Sequence, residues 1–99
     1  MNASPEYRTF VQHYRNLKTA LDPCTVVAIA YSVDLLTQHE HSEATYMNRS
    51  DDERLEIFLN ALDKRIADNP DAFHNFVHKV LQGVPAFHHL GEKLKSMLP

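Results

Sequence analysis

The stretch Ser50–Leu81, SDDERLEIFLNALDKRIADNPDAFHNFVHKVL, decides the fold. It reads as two amphipathic helices separated by Asn69-Pro70-Asp71. In the first, Leu55, Phe58, Leu59, Leu62 and Ile66 fall on one face at helical spacing; in the second, Phe73, Phe76, Val77, Val80 and Leu81 do the same. Ser50-Asp51-Asp52-Glu53 opens the first helix as a capping box, and its acids complement the positive end of the helix dipole. That helix runs to about Asp68. The second runs to about Gln82, with Gly83 suited to a C-terminal cap. Two apolar stripes need cover that a helix pair cannot supply, so the remaining chain must wrap around them.

Upstream, residues 1–5 are polar and expected to be loose. From Glu6 the apolar positions Tyr7, Phe10, Val11, Tyr14, Leu17 and Leu21 predict a helix, with Arg8 and Arg15 on its outer flank. Asp22-Pro23 ends it and starts the next, Asp22 as N-cap and Pro23 at the first helical position. The β-branched run TVVAIAYSVDLL would suit a buried strand, but no second strand exists to pair with it, so it reads as a central helix apolar on most sides. Thr37-Gln38-His39-Glu40 is a second capping box and predicts a short helix to about Asn48, with Ala44 and Met47 inward. Pro85 opens a last helix with Phe87, Leu90, Leu94 and Met97 or Leu98 inward, where Gly91 permits close packing. The pattern is six helices with short connections: an all-α bundle, one domain over residues 1–99 with an ordered core of about 6–98.

Composition narrows the function. A chain of 99 residues with 43% apolar content builds one modest core and is too apolar for a disordered tail. A net charge of −3 and no dense Lys/Arg stripe argue against nucleic acid. The single cysteine, Cys24, forms no intrachain disulfide and fits a reducing, cytoplasmic setting. The N-terminal residues lack a basic region followed by an apolar run, so no signal peptide is expected, and the Val26–Ala30 run is too short to enter a membrane as a span.

The string Leu35-Leu36-Thr37-x-x-Glu40, then Asp52-x-Arg54-Leu55 through Leu59-x-x-Leu62, then Ala72-Phe73-x-x-Phe76 with Leu81, then Leu90 and Leu94, resembles a caspase recruitment domain (CARD), one branch of the death-fold superfamily. The resemblance spans about Tyr7 to Leu98. The last helix has no Arg-x-Asp-Leu tract, which a death effector domain would show. The resemblance implies an antiparallel six-helix bundle in Greek-key order, its first helix often kinked or broken. It also implies homotypic docking with other CARD proteins, or with itself in helical oligomers, as a signalling adaptor in apoptosis or innate immunity. In that family a basic surface on the first and fourth helices commonly meets an acidic surface on the second and third helices of another copy. Carried onto this chain, the basic face is Arg8, Arg15, Arg54, Ile57, Lys64 and Arg65, and the acidic face is Asp34, Glu40 and Glu43. On the helical wheel, Arg54, Ile57, Ala61, Lys64 and Arg65 fall in an arc away from the core stripe, with Ile57 nearly opposite it. The second helix offers little acid besides Asp34 and Asp22, which leaves open a different CARD partner or self-assembly through other faces.

Seven histidines invite a metal reading. His74 and His78 lie four apart on one helix, and His88 and His89, or His39 and His41, could complete a set. The glutamate of a His-Glu-x-x-His motif is missing, so these read as boundary and surface residues, with no metal and no cofactor expected. No glycine-rich phosphate loop, activated nucleophile or carboxylate pair marks an enzyme. The alternative to a CARD-like module is a small helical regulatory bundle of another class, one responsive to a metal or ligand.

Overall fold

The computed structural model describes residues 4–97 and is all-helical over them. The elements are α1 (Pro5–Gln12), α2 (Tyr14–Ala20), α3 (Pro23–Ser32), α4 (Gln38–Ala44), α5 (Asp51–Asp68), α6 (Asp71–Asn75) and α7 (His88–Ser96). A π-helical segment, Phe76–Leu81, continues α6, and a 3-10 turn, Pro85–Phe87, leads into α7.

The long helix α5 is the shared wall of the core. It touches α1, α2, α3, α4 and α6, and it buries Leu55, Phe58, Leu59, Ala61, Leu62 and Ile66. Each large side chain fully removed from water contributes about 1.5–3 kcal/mol. The predicted stripe of the following helix is buried in full. Its rings join the two sides of the bundle: Phe76 lies 6.0 Å from Phe58, and Phe73 meets Phe10 edge-on at 6.5 Å. The β-branched segment is indeed a helix, α3, set between α5, α4 and the π segment. Asp22 caps it by accepting the Thr25 N–H at 3.1 Å.

Several expectations need correction. The segment from Glu6 to Leu21 is two helices, broken at His13, whose backbone leaves the helical region (φ −105°, ψ 12°). Both halves lie on α5: Tyr7 Oη donates to Asp63 at 3.1 Å and Tyr14 Oη to Asn60 at 3.5 Å. Val11, expected inward, is 49% exposed. Ser4 is not loose, since its hydroxyl accepts the Tyr7 N–H and caps α1, whereas residues 1–3 lie outside the described residues. Helix α4 stops at Ala44, short of Asn48. The Thr45 hydroxyl donates to the His41 carbonyl at 2.8 Å, a local bond that competes with helix continuation. Met47 therefore sits in a turn, 87% exposed rather than inward. At the C-terminal end Leu94 is buried and Leu90 half-buried, Met97 is exposed, and Leu98 lies outside the described residues.

Two local devices close the helices. At the end of α3 the Leu35 N–H donates to the Ala30 carbonyl at 2.8 Å and the Asp34 N–H to the Tyr31 carbonyl at 3.3 Å, with Asp34 left-handed at φ 63°. That is a Schellman stop with an aspartate where glycine is preferred. Gly83 has no positive φ, so it does not act as the left-handed cap expected of it. Gly91 serves close approach: a Cβ there would lie 2.9 Å from Gln82 Cγ and 3.1 Å from Leu81 Cβ, where α7 meets the π segment.

Two substitutions test these devices by urea unfolding. Asp34→Gly relieves the left-handed strain and raises stability by about 0.5–1 kcal/mol. Gly91→Ala should gain about 1 kcal/mol from helix propensity. Overlap with Leu81 and Gln82 outweighs that gain, and the net effect is a loss of about 1 kcal/mol.

Candidate functional site

Helix α4 lies along α5 and brings the predicted acidic and basic residues together inside one chain. The Thr37–Glu40 capping box sets the geometry: Glu40 Oε1 accepts the Thr37 N–H at 2.8 Å, and the Thr37 hydroxyl accepts the Glu40 N–H at 3.1 Å. The same Glu40 oxygen receives Arg65 Nη2 at 3.2 Å. Burial pushes the Glu40 carboxyl up, but the Thr37 amide and the Arg65 guanidinium outweigh it and hold the group below 4.5. Glu43 is taken by Arg49 at 2.7 Å. Arg54 donates from Nη2 to the carbonyls of Tyr46 and Met47, at 3.2 and 3.4 Å, and clamps the turn between α4 and α5. Its Nη1 also lies 3.8 Å from Asp51.

The outward arc expected on α5 is therefore only partly outward. Ala61 is buried and Ile57 is half-buried against the core edge, because α4 covers that side. A groove of about 500 Å³ remains between the two helices. Ile57 and Ala61 line it along with Glu40, Glu43, Arg49 and Lys64. Of the predicted basic face on α5, Lys64 alone is exposed and makes no ion pair among the described residues.

The face formed by α1 and α2 is different. Tyr7, Tyr14 and Lys18 turn toward α5, where Lys18 Nζ lies 3.6 Å from Asp52 and 3.7 Å from Glu56. Arg8, Val11 and Arg15 point away, all exposed and spaced three and four residues apart. Neither arginine has an ion-pair partner among the described residues. Asp34, assigned to the acidic face, is exposed at the stop of α3, apart from the Glu40–Arg65 and Glu43–Arg49 pairs.

The histidines are dispersed. His74 Nε2 meets Glu6 Oε2 at 2.9 Å and ties α6 to α1, a pair with no signal in a sequence separation of 68 residues. That contact is the main cause holding the Glu6 carboxyl below 4.5. His78 is exposed, and His41 stacks on Tyr31 with ring centres 4.2 Å apart. Among the described residues no three His, Cys, Asp or Glu side chains converge on a metal position. No described helix is long and apolar enough to cross a membrane. Comparison with protein-family models, with curated proteins and with solved structures returns no match.

Glu53 joins Glu6 and Glu40 as a carboxylate held below 4.5, chiefly by the Ser50 amide it accepts. A carboxyl with a lowered folded value stabilises the fold above its unfolded value and loses that contribution as pH falls through the folded one. These three groups add their full stability above about pH 5 and lose it as pH drops below 4.5. Replacing Glu6, Glu40 and Glu53 by Gln together lowers the melting temperature at pH 7. It also flattens the decline below 4.5 when melting is followed by circular dichroism across pH.

Proposed function

We propose that the chain is a CARD-like interaction module, a death-fold bundle in Greek-key order, acting as a cytoplasmic adaptor in apoptotic or innate immune signalling. It has no catalytic role in this reading. What supports it is an all-helical bundle with its first helix divided at His13 and its fourth, α5, at the centre of the core.

The single observation that carries the proposal is the face of Arg8, Val11 and Arg15. Two cations bracket an apolar side chain that is 49% exposed, and neither cation is neutralised within the described residues. Depositing an acidic partner surface there covers Val11 and pairs both arginines. Charge pairs desolvated at an interface couple by roughly 1.5–7 kcal/mol, enough to decide docking. Lys64 lines the separate groove between α4 and α5, while Arg54 and Arg65 hold the bundle together instead of facing the partner. Glu40 and Glu43 are also engaged internally, so the acid comes from a different CARD rather than from a second copy.

Mixing the protein with a panel of purified CARDs that carry acidic faces, at low salt, tests this by size exclusion with light scattering. A complex forms, weakens as salt rises, and is lost in Arg8→Glu/Arg15→Glu with the helical circular dichroism unchanged. A wild-type protein that stays monomeric against the whole panel, or a complex indifferent to the charge reversal, overturns the proposal.

A further inference from the structure

The turn between α4 and α5 presents Tyr46 in an unusual setting. Of the four tyrosines, Tyr7 and Tyr14 spend their hydroxyls on α5, and Tyr31 lies within α3, stacked on His41. Tyr46 is 56% exposed, lies outside any helix, and its hydroxyl makes no hydrogen bond among the described residues. The backbone beneath it is fixed, because Arg54 holds the carbonyls of Tyr46 and Met47. The Arg49 guanidinium stands over the ring, with Cζ 5.9 Å from its centre. Arg49 Nε is buried and has no acceptor, while its Nη2 is taken by Glu43.

We infer that Tyr46 is a phosphorylation site whose phosphate is captured by the chain's own Arg49, drawing that arginine off Glu43. The γ-phosphoryl group of a nucleoside triphosphate passes to Tyr46 Oη. The β–γ bridging P–O bond breaks and the Oη–P bond forms. The nucleoside diphosphate leaves, and the phenolic proton goes to the base of the kinase. The product carries a charge of about −1.5 to −2 and three acceptor oxygens beside a guanidinium that a single carboxylate now holds. The larger charge wins the competition, and the unused Nε supplies a second donor. Helix α4 then keeps its Glu40–Arg65 tie and loses the Glu43–Arg49 one. This inference stands on the turn alone and does not depend on the docking face of α1 and α2.

The folded protein is treated with a broad-specificity tyrosine kinase and ATP, the site is mapped by peptide mass spectrometry, and the phosphate is titrated by phosphorus NMR. Tyr46 takes up phosphate at least roughly tenfold faster than Tyr7 and Tyr14, whose hydroxyls are bonded to α5, and than Tyr31, which is 40% exposed but must unwind from α3 to extend. Tyr46→Phe removes that label. The second ionisation of the phosphate falls below its ordinary value of about 6 in the wild type and returns to about 6 in Arg49→Gln. Glu43→Gln, which removes the competitor and leaves Arg49 in place, lowers it further. Labelling of other tyrosines with Tyr46 bare overturns the inference. So does a phosphate that titrates alike in the wild type, Arg49→Gln and Glu43→Gln.

Discussion

The burial of α5 is the constraint on which everything else depends. A short chain can build one core, and here a single helix of 18 residues forms its wall. Phe58, Leu59, Leu62 and Ile66 are fully buried, and five other helices find their places by covering them. The two halves broken at His13 both lie on it, with Tyr7 bonded to Asp63 and Tyr14 to Asn60.

That central position also determines what the charges on α5 do. Its cations are near enough to neighbouring elements to be used as ties. Arg65 holds α4 through Glu40, Arg54 holds the turn through two carbonyls, and the acids Asp52 and Glu56 hold Lys18 of α2. Single exposed ion pairs contribute only about 0–1 kcal/mol each. They weigh more for α4, whose seven residues bury Ala44 alone. The cations without an ion-pair partner among the described residues accordingly include Arg8 and Arg15 on the outer side of α1 and α2.

Much of the architecture was legible because its signals are local. The capping boxes at Thr37 and Ser50, the Asp22-Pro23 start and the apolar stripes of α5 and of residues 73–81 each act within a turn or two of helix. The site was less legible because a helical wheel knows one buried face, whereas α5 is covered on several. Ala61 and Ile57 look outward on the wheel and are taken in by α4. Met47 follows the capping-box helix in sequence but lies beyond its end at Ala44. The break at His13 carries no proline or glycine to announce it, and the Glu40–Arg65 and Glu6–His74 pairs join residues distant in sequence. The π-helical turn at residues 76–81 buries the same apolar positions as an α-helix would, so periodicity alone does not separate the two.

Native-state hydrogen exchange tests most directly whether α5 is the wall and α4 its charge-tied cover. Amides of Phe58 through Ile66 exchange only by global unfolding, with the largest protection in the chain. Amides of the second half of α4 open locally at a lower free energy, and Arg65→Gln widens that gap, because α4 loses its tie to α5 while the buried stripe of α5 is unchanged. Protection of α4 equal to that of α5 in the wild type, or local opening of α5 itself, would contradict the account.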